Sequence, residues 1–274
     1  MMEYMQSWLE HPVFQAGIAP FLAALLLAML LSKPRLSGLA VVVAFALTVQ
    51  LVGGFAIDPL TSSRKLVILT LGAAALAIPL SFSKPKWLTA ALALSAATAA
   101  VWMAFSILKQ KELQEMLLFG SSGALYLGWL VYWGDRLHDM PIRSASCGVG
   151  LGVGTGGAAL IGSSALLGAY GLALAAAAAA VVSLHLIHNR PLPLRRNFIL
   201  PLVVGAGLIG YLGSLTAQLP WYALACLALI PPLCGLPLAD GKPRLQSVLF
   251  VTLSTACAAG AIYLTWRIAG TPPY

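Results

Sequence analysis

His185 and His188 stand three apart in an otherwise apolar run, and of all the side chains in this 274-residue chain they are the most suited to holding a metal. Positions i and i+3 of a helix share a face, and imidazole nitrogens ligate zinc or, singly, haem iron. Cys147, Cys234 and Asp135 belong to other segments at a similar depth and would be the further ligands. The plainer reading puts both histidines at a membrane interface beside Asn189 and Arg190, closing a helix end, because a lone HxxH names no third ligand. The four cysteines, Cys147, Cys226, Cys234 and Cys257, form no CxxC or CxxCH pair. That argues against a disulfide framework, c-type haem attachment or a zinc knuckle, and no cofactor is expected.

Carboxylates offer less. Glu3, Glu10, Asp58, Glu112, Glu115, Asp135, Asp139 and Asp240 all fall between apolar runs or at their ends. A proton relay needs an ionisable group near the bilayer midplane, so a carboxylate relay and paired-carboxylate hydrolysis are both disfavoured. Neither a Ser/His/Asp nor a Cys/His grouping has the placement that nucleophilic catalysis needs.

The remaining candidates are backbone breaks and neutral polar groups. Gln15 to Pro20 interrupts the first apolar run, and Pro231-Pro232 interrupts the ninth. The double proline removes two helix donors and frees the carbonyls of Leu227 and Ala228, which then need partners from water, a ligand or a neighbouring hydroxyl. The sixth run carries Gly148, Gly150, Gly152, Gly154, Gly156 and Gly157. Gly148, Gly152 and Gly156, four apart, read first as a close-packing stripe and second as an unwound substrate or ion site. The GxGxxG match at Gly152, Gly154 and Gly157 lacks a preceding strand and carries no nucleotide fold. Thr48 and Gln50, with Thr252, Ser254, Thr255 and Cys257, supply uncharged polar groups that more often bond across helices than to cargo. Substrate-cavity candidates are Gln15, Pro20, Gln50, Gly152, Gly154, Gly156, Pro231 and Pro232; a catalytic residue is not expected. Tyr126, Trp129 and Trp133 share a helix face that reads as an aromatic belt, or else as a lining for an aromatic or cationic substrate.

The elements that would position these residues follow from the distribution of charge. Lys, Arg, Asp and Glu make up 9% of the chain and hydrophobic residues 60%, with a mean hydropathy of +0.90. That is the composition of an all-α polytopic integral membrane protein, a single transmembrane domain over 1–274. Ten spans of roughly 17–25 residues can be drawn, at about 12–32, 37–57, 65–82, 87–108, 116–134, 143–164, 167–188, 198–217, 219–239 and 245–268. One cut falls inside the run from Ser144 to Ile187, where Gly162-Ser163-Ser164 or Gly168 offers a turn. Two internal halves, 1–140 and 141–274, would pair the interrupted first and sixth spans.

Orientation comes from counting Lys and Arg on alternate connections. One set holds Lys33, Arg35, Lys84, Lys86, Arg136, Arg143, Arg190, Arg195, Arg196, Lys242 and Arg244, eleven in all; the other holds Arg64, Lys65, Lys109, Lys111 and Arg267, five in all. The first set is cytoplasmic, so both termini lie on the non-cytoplasmic side. The similar turns Ser32 to Leu36, Ser83 to Trp87 and Gly241 to Leu245 read as convergent turn chemistry or as a chain of two-helix hairpins. The net charge of +8 is explained by helix ends at anionic headgroups, and nucleic acid is not expected as a partner.

These features fit a multi-pass protein of a cell membrane, the bacterial inner membrane, with the lipid bilayer as its first partner. The leading expectation is a permease for a small neutral or weakly polar solute. The alternatives are a membrane-embedded subunit or assembly factor holding a membrane-protein partner or a second copy, and a haem or metal protein centred on His185 and His188.

Overall fold

A computed structural model describes residues 11–31, 36–55, 58–81, 85, 87–188, 192–238 and 242–270. Of the residues used to orient the chain, Lys33, Arg35, Lys84, Lys86 and Arg190 lie outside the described residues, as do Glu3, Glu10, Asp240 and most of the Ser32 to Leu36 turn. The described residues form ten helical rods and no strand. We number them α1 (Phe14–Leu30), α2 (Leu39–Val52), α3 (Ser62–Leu80), α4 (Leu88–Leu108), α5 (Leu113–Asp135), α6 (Pro141–Ile161), α7 (Ala165–His188), α8 (Arg196–Thr216), α9 (Trp221–Cys234) and α10 (Pro243–Ala269). Seven of them, α3 to α8 and α10, are long and apolar enough to cross a membrane. Together these apolar helices mark a membrane-embedded protein.

Burial sorts the rods. Within the protein, 89% of the apolar window of α8 is buried, 78% of α6 and 67% of α7, against 28–33% for α3, α4, α5 and α10. The first three are therefore central, and the others turn much of their apolar surface outward, as lipid requires. Helix α8 packs against α3, α5 and α6; α7 packs against α6, α1 and α2; α10 and α9 close over α6, and α4 lies on α5.

The contact between α6 and α7 depends on absent side chains. A Cβ on Gly152 would sit 2.5 Å from the Ala175 nitrogen, and one on Gly156 2.6 Å from that of Leu172. Gly148 meets Ala178 and Leu202. The stripe spaced by four is thus a packing seam inside this chain. Gly150 and Gly154, on another side of the same helix, take up Ser254 and Leu227 respectively.

Three expectations about continuity resolve differently. The run from Ser144 to Ile187 divides into α6 and α7 at Gly162 to Ser164, where Ser163 adopts a left-handed φ of 71°. The sixth segment is not unwound: α6 runs as one α-helix from Pro141 to Ile161. In a medium without competing water the backbone must bond internally, so glycines that weaken a helix in water leave it intact here. The first segment is irregular without being broken. A π-helical turn at Phe14–Ile18 leads into the α-helical stretch Ala19–Leu30, and Pro20 sits in its first turn, where a missing donor is tolerated. The double proline does interrupt α9, which divides at Leu229 into Trp221–Ala228 and Ile230–Cys234.

Candidate functional site

At one end of the bundle, α5 finishes on Asp135, which is 2% exposed. Its Oδ1 accepts from Arg196 Nε at 2.7 Å and its Oδ2 from Arg196 Nη2 at 3.2 Å, an ion pair that joins α5 to the first residue of α8. Thr89 Oγ1, at the start of α4, donates to the same Oδ2 at 2.6 Å. Arg196 Nη1 reaches the Leu80 carbonyl at the end of α3 at 3.1 Å, and Arg195 Nη1 reaches that of Ser81 at 3.1 Å. One carboxylate and two guanidinia thereby tie four helices. Nearby, the start of α2 touches the start of α8 so closely that a Cβ on Gly38 would sit 2.6 Å from the Phe198 nitrogen. Arg143, at the start of α6, donates to the Gly235 carbonyl beyond α9 at 3.4 Å and lies over the Phe250 ring.

The connections joined here are those that the charge count placed together. At the opposite ends, Ser62 Oγ donates to the Met103 carbonyl at 3.1 Å, Tyr211 Oη to that of Phe119 at 3.0 Å, and the Gln218 N–H to that of Gly162 at 3.1 Å. These three ties consist of neutral groups, and Lys65 Nζ adds a charged one to the Trp102 carbonyl at 3.3 Å.

Between the two ends lies the break in α9. Pro231 and Pro232 have no N–H to give to Leu227 and Ala228. The Ala228 carbonyl instead accepts from Trp129 Nε1 of α5 at 3.0 Å. The partner that the sequence required is an indole, where water, ligand or hydroxyl was expected. Tyr126 and Trp133 lie on the same face of α5, one turn and more to either side, and Trp129 and Trp133 rings are 5.7 Å apart. Arg136 covers Tyr132 and Trp133 at 4.6 and 5.0 Å.

The other candidate residues fall into two groups. Gln15, in the π-turn, accepts through its carbonyl from Thr48 Oγ1 at 3.0 Å, and Gln50 Oε1 accepts from the Phe55 N–H at 3.2 Å. These belong to α1 and α2, with Pro20 buried nearby in sequence. Gly152, Gly154 and Gly156 belong to α6, where Gly154 abuts Leu227 and so touches the break at Pro231 and Pro232. Helix α7 packs against both groups.

His185 and His188 do not share surroundings. His185 is 3% exposed and neither ring nitrogen has a hydrogen-bond partner, whereas the exposed His188 pairs its Nδ1 with the Leu184 carbonyl at 3.2 Å. Asp135 is committed to Arg196, and among the described residues no three His, Cys, Asp or Glu side chains group as metal ligands. Cys147 and Cys234 do come together, thiol against thiol, on α6 and α9.

Sequence reasoning missed the Asp135–Arg196 pair. Its only signal was that Asp135, Arg195 and Arg196 fall on connections of the same set. No family model, no curated protein and no solved structure matches this chain.

Proposed function

We propose that all ten rods cross the membrane, with both termini on the non-cytoplasmic side, in a bacterial inner membrane. The short rods α1, α2 and α9 are included because they are apolar along their length and pack against the longer rods. Convergence of Thr89, Asp135, Arg143 and Arg196 on one end of the bundle supports this reading, since that end carries the basic connections.

Within that frame the protein works as a permease for a small neutral or weakly polar solute. The observation that carries the reading is the break in α9, which leaves a carbonyl held by a side chain of another helix. Irregular backbone at membrane depth persists where it is enclosed by protein or lines a path, and discontinuous helices are where carriers place their cargo. Asp135 and Arg196 then hold one end shut by clamping α3, α4, α5 and α8. The alternative, a subunit that grips a partner through its glycine stripe and aromatic face, keeps only the second of these surfaces, because Gly148, Gly152 and Gly156 are covered by α7 and α8 of the same chain while Trp129 stays exposed.

Uptake into proteoliposomes tests this. Radiolabelled neutral amides and alcohols should include at least one solute that enters saturably and faster than into protein-free vesicles, with charged analogues excluded. Equal entry for every neutral solute with and without protein would refute a permease.

A further inference from the structure

We propose that the face of α5 bearing Tyr126, Trp129 and Trp133, with the broken middle of α9, binds a small neutral molecule through a carbonyl or similar hydrogen-bond-accepting oxygen. The site rests on the permease reading only for what becomes of the molecule afterwards. Spacings of three and four put these three side chains in one line. The middle one, Trp129, donates to the Ala228 carbonyl at 3.0 Å. On either side of it, Tyr126 Oη and Trp133 Nε1 are buried with no hydrogen-bond partner. Buried polar atoms are rarely left so, least of all at membrane depth, and each such atom calls for an explanation.

The donors define the ligand. An indole N–H can only donate, and a phenol can do either, so a molecule serving both must accept. A cation is excluded by the neighbours, and an anion by the cost of burying a full charge at membrane depth against donors that are themselves neutral. Asp135, the nearby carboxylate, is committed to Arg196, and Arg136 covers the ring faces of Tyr132 and Trp133, which leaves a cation nothing to pair with. Tyr126 and Trp133 are seven residues apart, about 10 Å along the helix. A small molecule therefore meets these donors in turn, and Trp129 can exchange the Ala228 carbonyl for the oxygen of the ligand.

Tyr126 Oη sits where α8 carries no side chain. A Cβ on Gly210 of α8 would lie 3.2 Å from Tyr126 Oη and 3.0 Å from Leu224 Cδ2. Thr155, the other neighbour there, turns its methyl group toward Gly210 and gives its hydroxyl to the Leu151 carbonyl at 2.7 Å. Tyr126 is thus the free polar group at that point. Trp129 remains 43% exposed on the outer surface, so entry is lateral, from the bilayer.

Equilibrium dialysis of the purified full-length chain in detergent, with radiolabelled benzamide as probe and benzamidine as its cationic analogue of the same shape, tests the site. Benzamide should bind saturably and benzamidine should not. Tyr126→Phe and Gly210→Ala should each weaken benzamide at least tenfold while unfolding temperatures stay within a few degrees of the parent. No saturable benzamide binding, equal affinity in Tyr126→Phe, or benzamidine binding as tightly would each overturn the site. Binding without uptake into vesicles would uphold the site and defeat the permease. Uptake that survives Tyr126→Phe unchanged would do the reverse.

Discussion

Asp135 commits both oxygens, to Arg196 and Thr89, while fully enclosed. Removing one member of such a pair strands a buried charge, which costs about 3–5 kcal/mol. Asp135→Asn should therefore lower thermal stability in detergent markedly, and Asp135→Asn combined with Arg196→Met should recover most of the loss. An unchanged unfolding temperature in the single variant would show that the clamp is not structural. The position of these charges at segment ends was legible from the sequence, and so was their common side. Their pairing was not, because 61 residues separate the partners and no local pattern encodes which end of α5 meets α8. The histidines illustrate the converse: HxxH spacing assigns both to one face of α7, yet His185 is buried and His188 exposed.

Among the elements, α6 and α9 respond oppositely to residues that both count as helix breakers. Glycine lowers helix stability through entropy and competition from water, and the second factor vanishes inside the bundle. Proline lacks the donor itself, and no environment restores it. Hence α6 continues through six glycines and α9 parts at Leu229. The stripe at Gly148, Gly152 and Gly156 was readable as a close-packing face, but Ala175 and Leu172 as its counterparts were not. Gly152→Val should disrupt the α6–α7 seam, where even a Cβ meets backbone 2.5 Å away, whereas Gly72→Val and Gly260→Val meet nothing within 4 Å. Comparing monodisperse yield in detergent checks this, and equal losses at all three positions would contradict the seam. Pro232→Ala supplies an N–H for the Ala228 carbonyl and so competes with Trp129. The expected result is a blue shift of tryptophan emission as that indole loses its acceptor.

For the whole molecule, an all-helical chain with apolar helices long enough to span a membrane was legible because bilayer thickness acts on composition, which a sequence carries directly. The centrality of α6, α7 and α8 was not, because apolar side chains face lipid and protein alike and leave no amphipathic pattern to read. The central claim is that successive rods, the short α9 included, traverse the membrane in alternation with the basic connections inside. The most direct test is labelling of single introduced cysteines in intact expressing cells with a membrane-impermeant maleimide. Cysteines replacing Phe55, Lys109 and Gln218 should react at once, and those replacing Asp139 and Lys242 only after lysis. If Gln218→Cys and Lys242→Cys reacted from the same side, α9 would not cross; reaction at Asp139→Cys with protection at Lys109→Cys would invert the topology.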